Sequence, residues 1–238
     1  ATVTKLEIML NQGKTSEALE ILTGLEKKRS TDLNKAKIFY FLGNINFQKN
    51  DLKSALEYAN KALELCGSSE ENTVTEDVYN MLGNINIIQG EFVHAIHYYE
   101  LILSMTRSMQ KKLVVQGNLG ILYSRSGRFV KARECYEETL KILRYFSSPV
   151  YEIAVKMSEY NLIFETGDYA ASILLAEEIN KSALKLKNRQ YIQLSYQFLG
   201  ECSYYMGNNE SSAKYLELAG KYIDSTSEND RMLNLLLK

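Results

Sequence analysis

Three asparagines carry the spacing in this chain most suggestive of ligand chemistry. Asn44, Asn84 and Asn161 occupy one recurring position, which reads Asn44, Asn84, Ile121, Asn161 and Glu201 along the chain. An amide both donates and accepts hydrogen bonds, so a row of amides can hold a peptide backbone. Other residue groups invite chemistry and fail on spacing. Gly13-Lys14-Thr15 has the end of a phosphate-binding loop, but the required earlier glycine falls at Ile8 and no strand precedes it. His94 and His97 are three apart on one helical pattern, one short of the common zinc spacing, and no third ligand is near in sequence. Cys66, Cys135 and Cys202 are an odd number and far apart, which suits reduced core thiols and a cytoplasmic setting. Acidic pairs such as Glu70-Glu71 and Glu177-Glu178 read as helix caps or solvated faces. The sequence therefore points to no enzyme, no cofactor and no metal.

What positions the asparagines is a repeat. Leu42-Gly43-Asn44, Leu82-Gly83-Asn84, Leu119-Gly120 and Leu199-Gly200 set a frame, and a second marker follows the glycine by seven residues at Asn50, Gly90, Gly127 and Gly207. Gly13 and Gly167 extend that second ladder, giving spacings of 37, 40, 37, 40 and 40 residues. Periods of this size mark stacked helical units, each touching its neighbours. Within the copy from Glu76 to Thr106, apolar residues at 78, 81, 82, 85 and 88 make the stripe of a first helix. Gln89-Gly90-Glu91 breaks it, and Phe92, Ala95, Ile96, Tyr99, Ile102 and Leu103 make the stripe of a second. Gly83 costs about 1 kcal/mol inside a helix, so it implies close approach by the second helix, with Ala95 as the expected small partner. The fifth copy has Glu159-Tyr160 in place of Leu-Gly and is expected to pack more loosely.

Composition agrees with helices throughout: one proline, no tryptophan, seventeen tyrosines and 45% hydrophobic residues. A net charge of -1 gives no pull toward nucleic acid or anionic lipid. No apolar run approaches the roughly 20 residues that span a bilayer, so no membrane association is expected.

The order of these markers, an aromatic before Leu-Gly, a Gly turn, an aromatic, a small residue, a Tyr and an aliphatic finish, resembles the tetratricopeptide repeat, nominally 34 residues of helix-turn-helix. Spacings of 37 to 40 residues are similar to the elongated repeats of kinesin light chains, bacterial peptide-pheromone receptors and the sensor regions of bacterial regulators. The resemblance implies an all-α, right-handed α-solenoid of about six repeats, at 1–33, 34–73, 74–110, 111–150, 151–190 and 191–228. Residues 229–238 would begin a seventh unit or form a cap. The frame runs off both ends, so a single array belonging to a longer protein is expected.

The resemblance further implies a protein-interaction module that binds a peptide or protein segment in a concave groove lined by the first helices. The alternative it implies is a ligand- or peptide-sensing domain of a multidomain signalling or transcription regulator. Stacked first helices set successive amides roughly 10 Å apart, about three residues of extended peptide. Around Asn44, Asn84 and Asn161, positions four before and three after bring Tyr40, Asn80 and Gln197, then Phe47 and Tyr204, onto the same face. Arg125 is the one cation expected there. A basic clamp for C-terminal carboxylates is not expected, because Tyr40, Asn80 and Gly117 stand where its Lys and Arg would. Self-association through exposed end repeats is a further expectation.

Overall fold

The computed structural model describes residues 14–26, 31–66 and 73–223, together with Leu6, Met9 and Gln12. Gly13 and the expected terminal unit at 229–238 lie outside these residues. Among the described residues every regular element is an α-helix. They are α1 (Thr15–Glu26), α2 (Asp32–Gln48), α3 (Leu52–Cys66), α4 (Thr73–Ile88), α5 (Phe92–Met105) and α6 (Met109–Arg125). There follow α7 (Phe129–Leu143), α8 (Pro149–Glu165), α9 (Tyr169–Leu186), α10 (Arg189–Tyr205) and α11 (Asn209–Gly220). The first helices of the pairs are long: α2, α4, α6, α8 and α10 run 16 or 17 residues. No helix among the described residues is long and apolar enough to cross a membrane.

The second sequence ladder is the turn inside each helical pair. Asn50, Gly90, Gly127, Gly167 and Gly207 all have φ between 62° and 83°. That left-handed conformation lets the chain reverse while its N–H groups cap the preceding helix. Gly90 N–H donates to the Ile87 carbonyl and Glu91 N–H to the Asn86 carbonyl. L side chains strain there, glycine does not, and Asn is the best-tolerated substitute, as Asn50 shows. The helices differ in how they start, and Glu91 before α5 and Arg128 before α7 make no side-chain cap. Asp168, Asn188 and Asn208 accept backbone N–H bonds from three residues on, and Pro149 opens α8 at its first turn.

The chain forms two compact units, Ala1–Leu122 and Tyr123–Lys238. In the first, Ala55, Ala59, Val78, Leu82 and Ile85 form one buried cluster, while Leu22, Phe41, Leu42 and Ile45 form another. A Cβ on Gly43 would stand 3.3 Å from the Ala55 carbonyl oxygen and 2.9 Å from Met81 Cε. Close helix approach is thus the reason for that glycine. At Gly83 the nearest neighbour is Tyr99 and not the expected Ala95. The Tyr99 ring, one turn further along α5, lies 3.3 Å from where a Cβ would be. The glycine makes room for an aromatic ring that is fully buried.

The second unit packs around Ile153, Tyr160, Ala176, Ile179 and Leu199. Tyr160, standing at the glycine position, is only 1% exposed. Its ring stacks on Phe198 at 4.0 Å, and its hydroxyl donates to the Phe198 carbonyl at 3.1 Å. The expected loosening of this copy is therefore overturned. Sixteen residues beyond each first-helix glycine the chain reads Ala59, Tyr99, Tyr136 and Leu216, whereas sixteen beyond Tyr160 it reads Ala176. Relative to the Gly83–Tyr99 pair the bulk has moved from the second helix to the first, and the pair remains filled.

Candidate ligand-binding faces

In the first unit, Tyr40, Asn44 and Phe47 lie at i, i+4 and i+7 on α2, and all three are half-buried. Asn80 and Asn84 hold the matching line on α4, which packs beside α2. The amides on these two helices are not equivalent. Asn84 Oδ1 accepts the Tyr99 hydroxyl proton at 2.7 Å. Burial raises the Tyr99 pKa, with Asn118 hydrogen-bonding the same hydroxyl in the opposite sense. Asn84 is therefore in part a structural bond across the helical pair, and Asn118 is a polar neighbour that sequence reasoning missed. Asn46 and Asn86 turn their Nδ2 groups onto the carbonyls of Leu42 and Leu82 at 2.7 Å, which ties them to their own helices.

Next to Asn80 the first halves of α4 and α6 leave a cavity of about 340 Å³. An adjoining one of about 470 Å³ shares Glu76, Ser108 and Lys111 with it. Lys111 comes from the first turn of α6, and its Nζ lies 2.6 Å from Glu76 Oε2 and 2.8 Å from Asp77 Oδ1. Burial lowers the Lys111 pKa, but the hydrogen bonds and charges of Asp77 and Glu76 outweigh it and the net is upward. The ammonium is thus held charged and already neutralised. This cavity offers carboxylate and amide oxygens with an apolar wall at Val114 and Ile102. It suits a neutral or donor-rich segment better than a carboxylate.

In the second unit the expected residues are more dispersed. Arg125, in the last turn of α6, and Asn161, on α8, are exposed. Gln197 is half-buried, and Tyr204, seven residues on along α10, is 62% exposed. Tyr204 belongs to a chain of rings that runs Phe198, Tyr160, Phe164, Tyr205, with Tyr169 stacked on Tyr205 at 4.9 Å. Glu201 stands on the same stretch of α10, and burial alone pushes its carboxyl pKa up. Glu159 is raised mainly by burial, which the charges of Arg133 and Lys156 only partly oppose. Tyr204 was expected on this face, but its neighbours Tyr169 and Tyr205 and a role for the Glu201 carboxylate were missed, because Glu201 replaces the amide of the recurring position.

Elsewhere the described residues hold no group of three His, Cys, Asp or Glu placed as metal ligands would be. His94 is exposed, with Nδ1 3.8 Å from Glu91 Oε2. All three cysteines are free and buried.

Residues 36–68 and residues 113–144 each match the family model of the tetratricopeptide repeat. No curated protein matches the chain. Among solved structures, the apo form of RapI is similar at 12% identity and TM-score 0.81, over 99% of this chain and 68% of that one. A signal transduction ATPase with numerous domains and a tetratricopeptide repeat sensor, from Pyrococcus horikoshii, is similar at 16% identity and TM-score 0.76. That alignment covers 93% of this chain and 37% of the other. A putative kinesin light chain with nearly identical repeats, from Podosopora anserina, gives 16% identity and TM-score 0.66 over 80% and 95%. At these identities the likeness concerns the fold, an all-α helical repeat.

Proposed function

Because the chain belongs to the tetratricopeptide-repeat proteins, we propose that it is a protein-interaction module holding a peptide or protein segment against its first-helix faces. The observation that supports this most is the cavity beside Asn80. It is a concave site between first helices, with polar groups fixed by the Lys111 ion pairs and an apolar wall. Repeat proteins without an active site act through such surfaces. Asn44, Asn80, Tyr40 and Phe47 are the contact residues in the first unit, and Asn161, Gln197, Tyr204 and Arg125 those in the second. Three buried free thiols suit a reducing compartment such as the cytoplasm.

The test is a peptide selected from a displayed random library on the full chain and then fitted with a photoreactive group. Crosslinks should fall on α2, α4 and α6 near Asn44 and Asn80. Crosslinks confined to α3 and α5 would overturn the reading.

A second reading, a ligand sensor within a multidomain regulator, is favoured by the likeness to the Pyrococcus sensor region. In that case saturating peptide changes the dimensions of the chain in solution scattering; unchanged scattering with bound peptide removes the sensor reading and leaves the scaffold.

A further inference from the structure

The second unit carries an aromatic and acidic patch that no ion pair among the described residues completes. Its rings come from three helices. Phe164 is in the last turn of α8, Tyr169 is in the first turn of α9, and Tyr204 and Tyr205 end α10. Phe164 and Tyr205 meet edge to face at 5.3 Å, and Tyr204 and Tyr205 do so at 5.6 Å. Tyr204 and Tyr205 are 62% and 56% exposed although they belong to this packed cluster. Glu201 lies one turn before them on the same face of α10.

The electrostatics of the patch all have one sign. Ring faces carry negative potential. The last turns of α8 and α10 bring the negative ends of two helix dipoles to the same rings, and neither turn contains a basic residue that would offset them. Glu201 adds a full carboxylate with no ion-pair partner among the described residues. Other carboxylates of the unit do have cations: Glu152 and Glu178 both pair with Lys156, and Glu159 has Arg133 and Lys156 nearby. The rise in the Glu201 pKa has burial as its one cause, which agrees with a carboxylate that lacks its cation.

We propose that Glu201, Tyr204, Tyr205 and Phe164 form a seat for an arginine side chain of a bound peptide or protein segment. A guanidinium stacks on a tyrosine face and donates two parallel hydrogen bonds to a carboxylate, so one group answers both features of the patch. An ammonium would satisfy the charge but stack poorly. The inference deepens the interaction reading and rests on it, naming a chemistry for the partner in the second unit alone.

Its test uses the full chain, labelled with ¹⁵N, and two capped tripeptides, acetyl-Gly-Arg-Gly-amide and its citrulline counterpart, which keeps the shape and removes the charge. The arginine probe should shift the amides of Glu201, Tyr204 and Tyr205 saturably, and the citrulline probe should bind at least about fivefold more weakly. Glu201→Gln should weaken the arginine probe by a similar factor, and Tyr204→Ala should do so with no loss of fold because that ring is mostly exposed. Equal binding of the two probes, shifts centred elsewhere, or full affinity in Glu201→Gln would overturn the seat. If the library-selected peptide still crosslinks to α2 and α4 while the arginine probe fails, the seat falls and the interaction module stands.

Discussion

Two helical pairs, one in each unit, solve the same packing problem with opposite allocations of bulk. In the first, Gly83 on α4 gives way to the Tyr99 ring from α5. In the second, Tyr160 on α8 supplies the ring, and Ala176 on α9 is the small residue of the same buried cluster. The charges differ in a parallel way. Lys111 in the first unit is neutralised by Glu76 and Asp77, while Glu201 in the second has no cation partner among the described residues. A shared helical frame therefore fixes where side chains meet, and leaves open which helix provides the volume and whether the charge is answered from within. The consequence is one polar, self-neutralised face and one aromatic, acidic face.

Removing the inverted ring should have the largest effect. Tyr160→Ala leaves a cavity and abandons the hydrogen bond to Phe198, and should cost about 3–5 kcal/mol in urea unfolding. Adding Ala176→Tyr to Tyr160→Gly should recover a large part of that loss, because it restores the arrangement of Gly83 and Tyr99. No recovery would show that the two helical pairs do not interchange bulk.

Lys111→Met should be next. It leaves Glu76, whose side chain is only 11% exposed, facing Asp77 without a cation. The cost should be about 1–2 kcal/mol, below that of a fully buried pair because a third of the lysine side chain remains exposed. Denaturation midpoints at low and high salt would check it. Equal stability to the parent would remove the contrast between an answered and an unanswered charge.

The turn residues come third and should be alike in both units. Gly90→Ala and Gly167→Ala should each lose about 1–2 kcal/mol through left-handed strain, and Asn50→Gly should be neutral or slightly stabilising. Thermal melts of the three variants decide this. A large difference between Gly90→Ala and Gly167→Ala would mean that the turns are not equivalent.

The smallest effect concerns pH. The Glu201 pKa is raised in the folded chain, so its protonated form is favoured by folding. The resulting stability is fully present below the unfolded pKa, near 4.3, and is lost as pH rises through the higher folded value. Glu201→Gln should therefore melt slightly higher than the parent at pH 7 and match it at pH 4. A lower melting temperature at pH 7 would show that the carboxylate does have an internal partner.

These results also explain what the sequence disclosed. The turn ladder was legible because a left-handed backbone leaves its mark in residue type, as Gly90, Gly127 and Asn50 show. Lys187 adopts the same conformation and left no such mark. Helical stripes were legible for the same reason, since burial imposes a period. Tyr160 was not, because it violates the pattern locally and is compensated sixteen residues away. Asn84 and Tyr99 stand 15 residues apart, and Lys111 stands 34 and 35 residues from its two carboxylates. Pairing across helices depends on side-chain direction, which a row of like positions does not specify. The asparagine row was therefore silent on the bond that occupies Asn84.

The interaction reading is tested most directly by the affinity of a library-selected fluorescent peptide for the full chain, measured by anisotropy on the parent and on Asn44→Leu combined with Asn80→Leu. Both changes avoid the asparagine that bonds Tyr99. The account predicts an affinity loss of at least about tenfold with an unchanged melting temperature, as expected when two well-placed polar contacts are removed from an interface. Unchanged affinity in the double variant would contradict it.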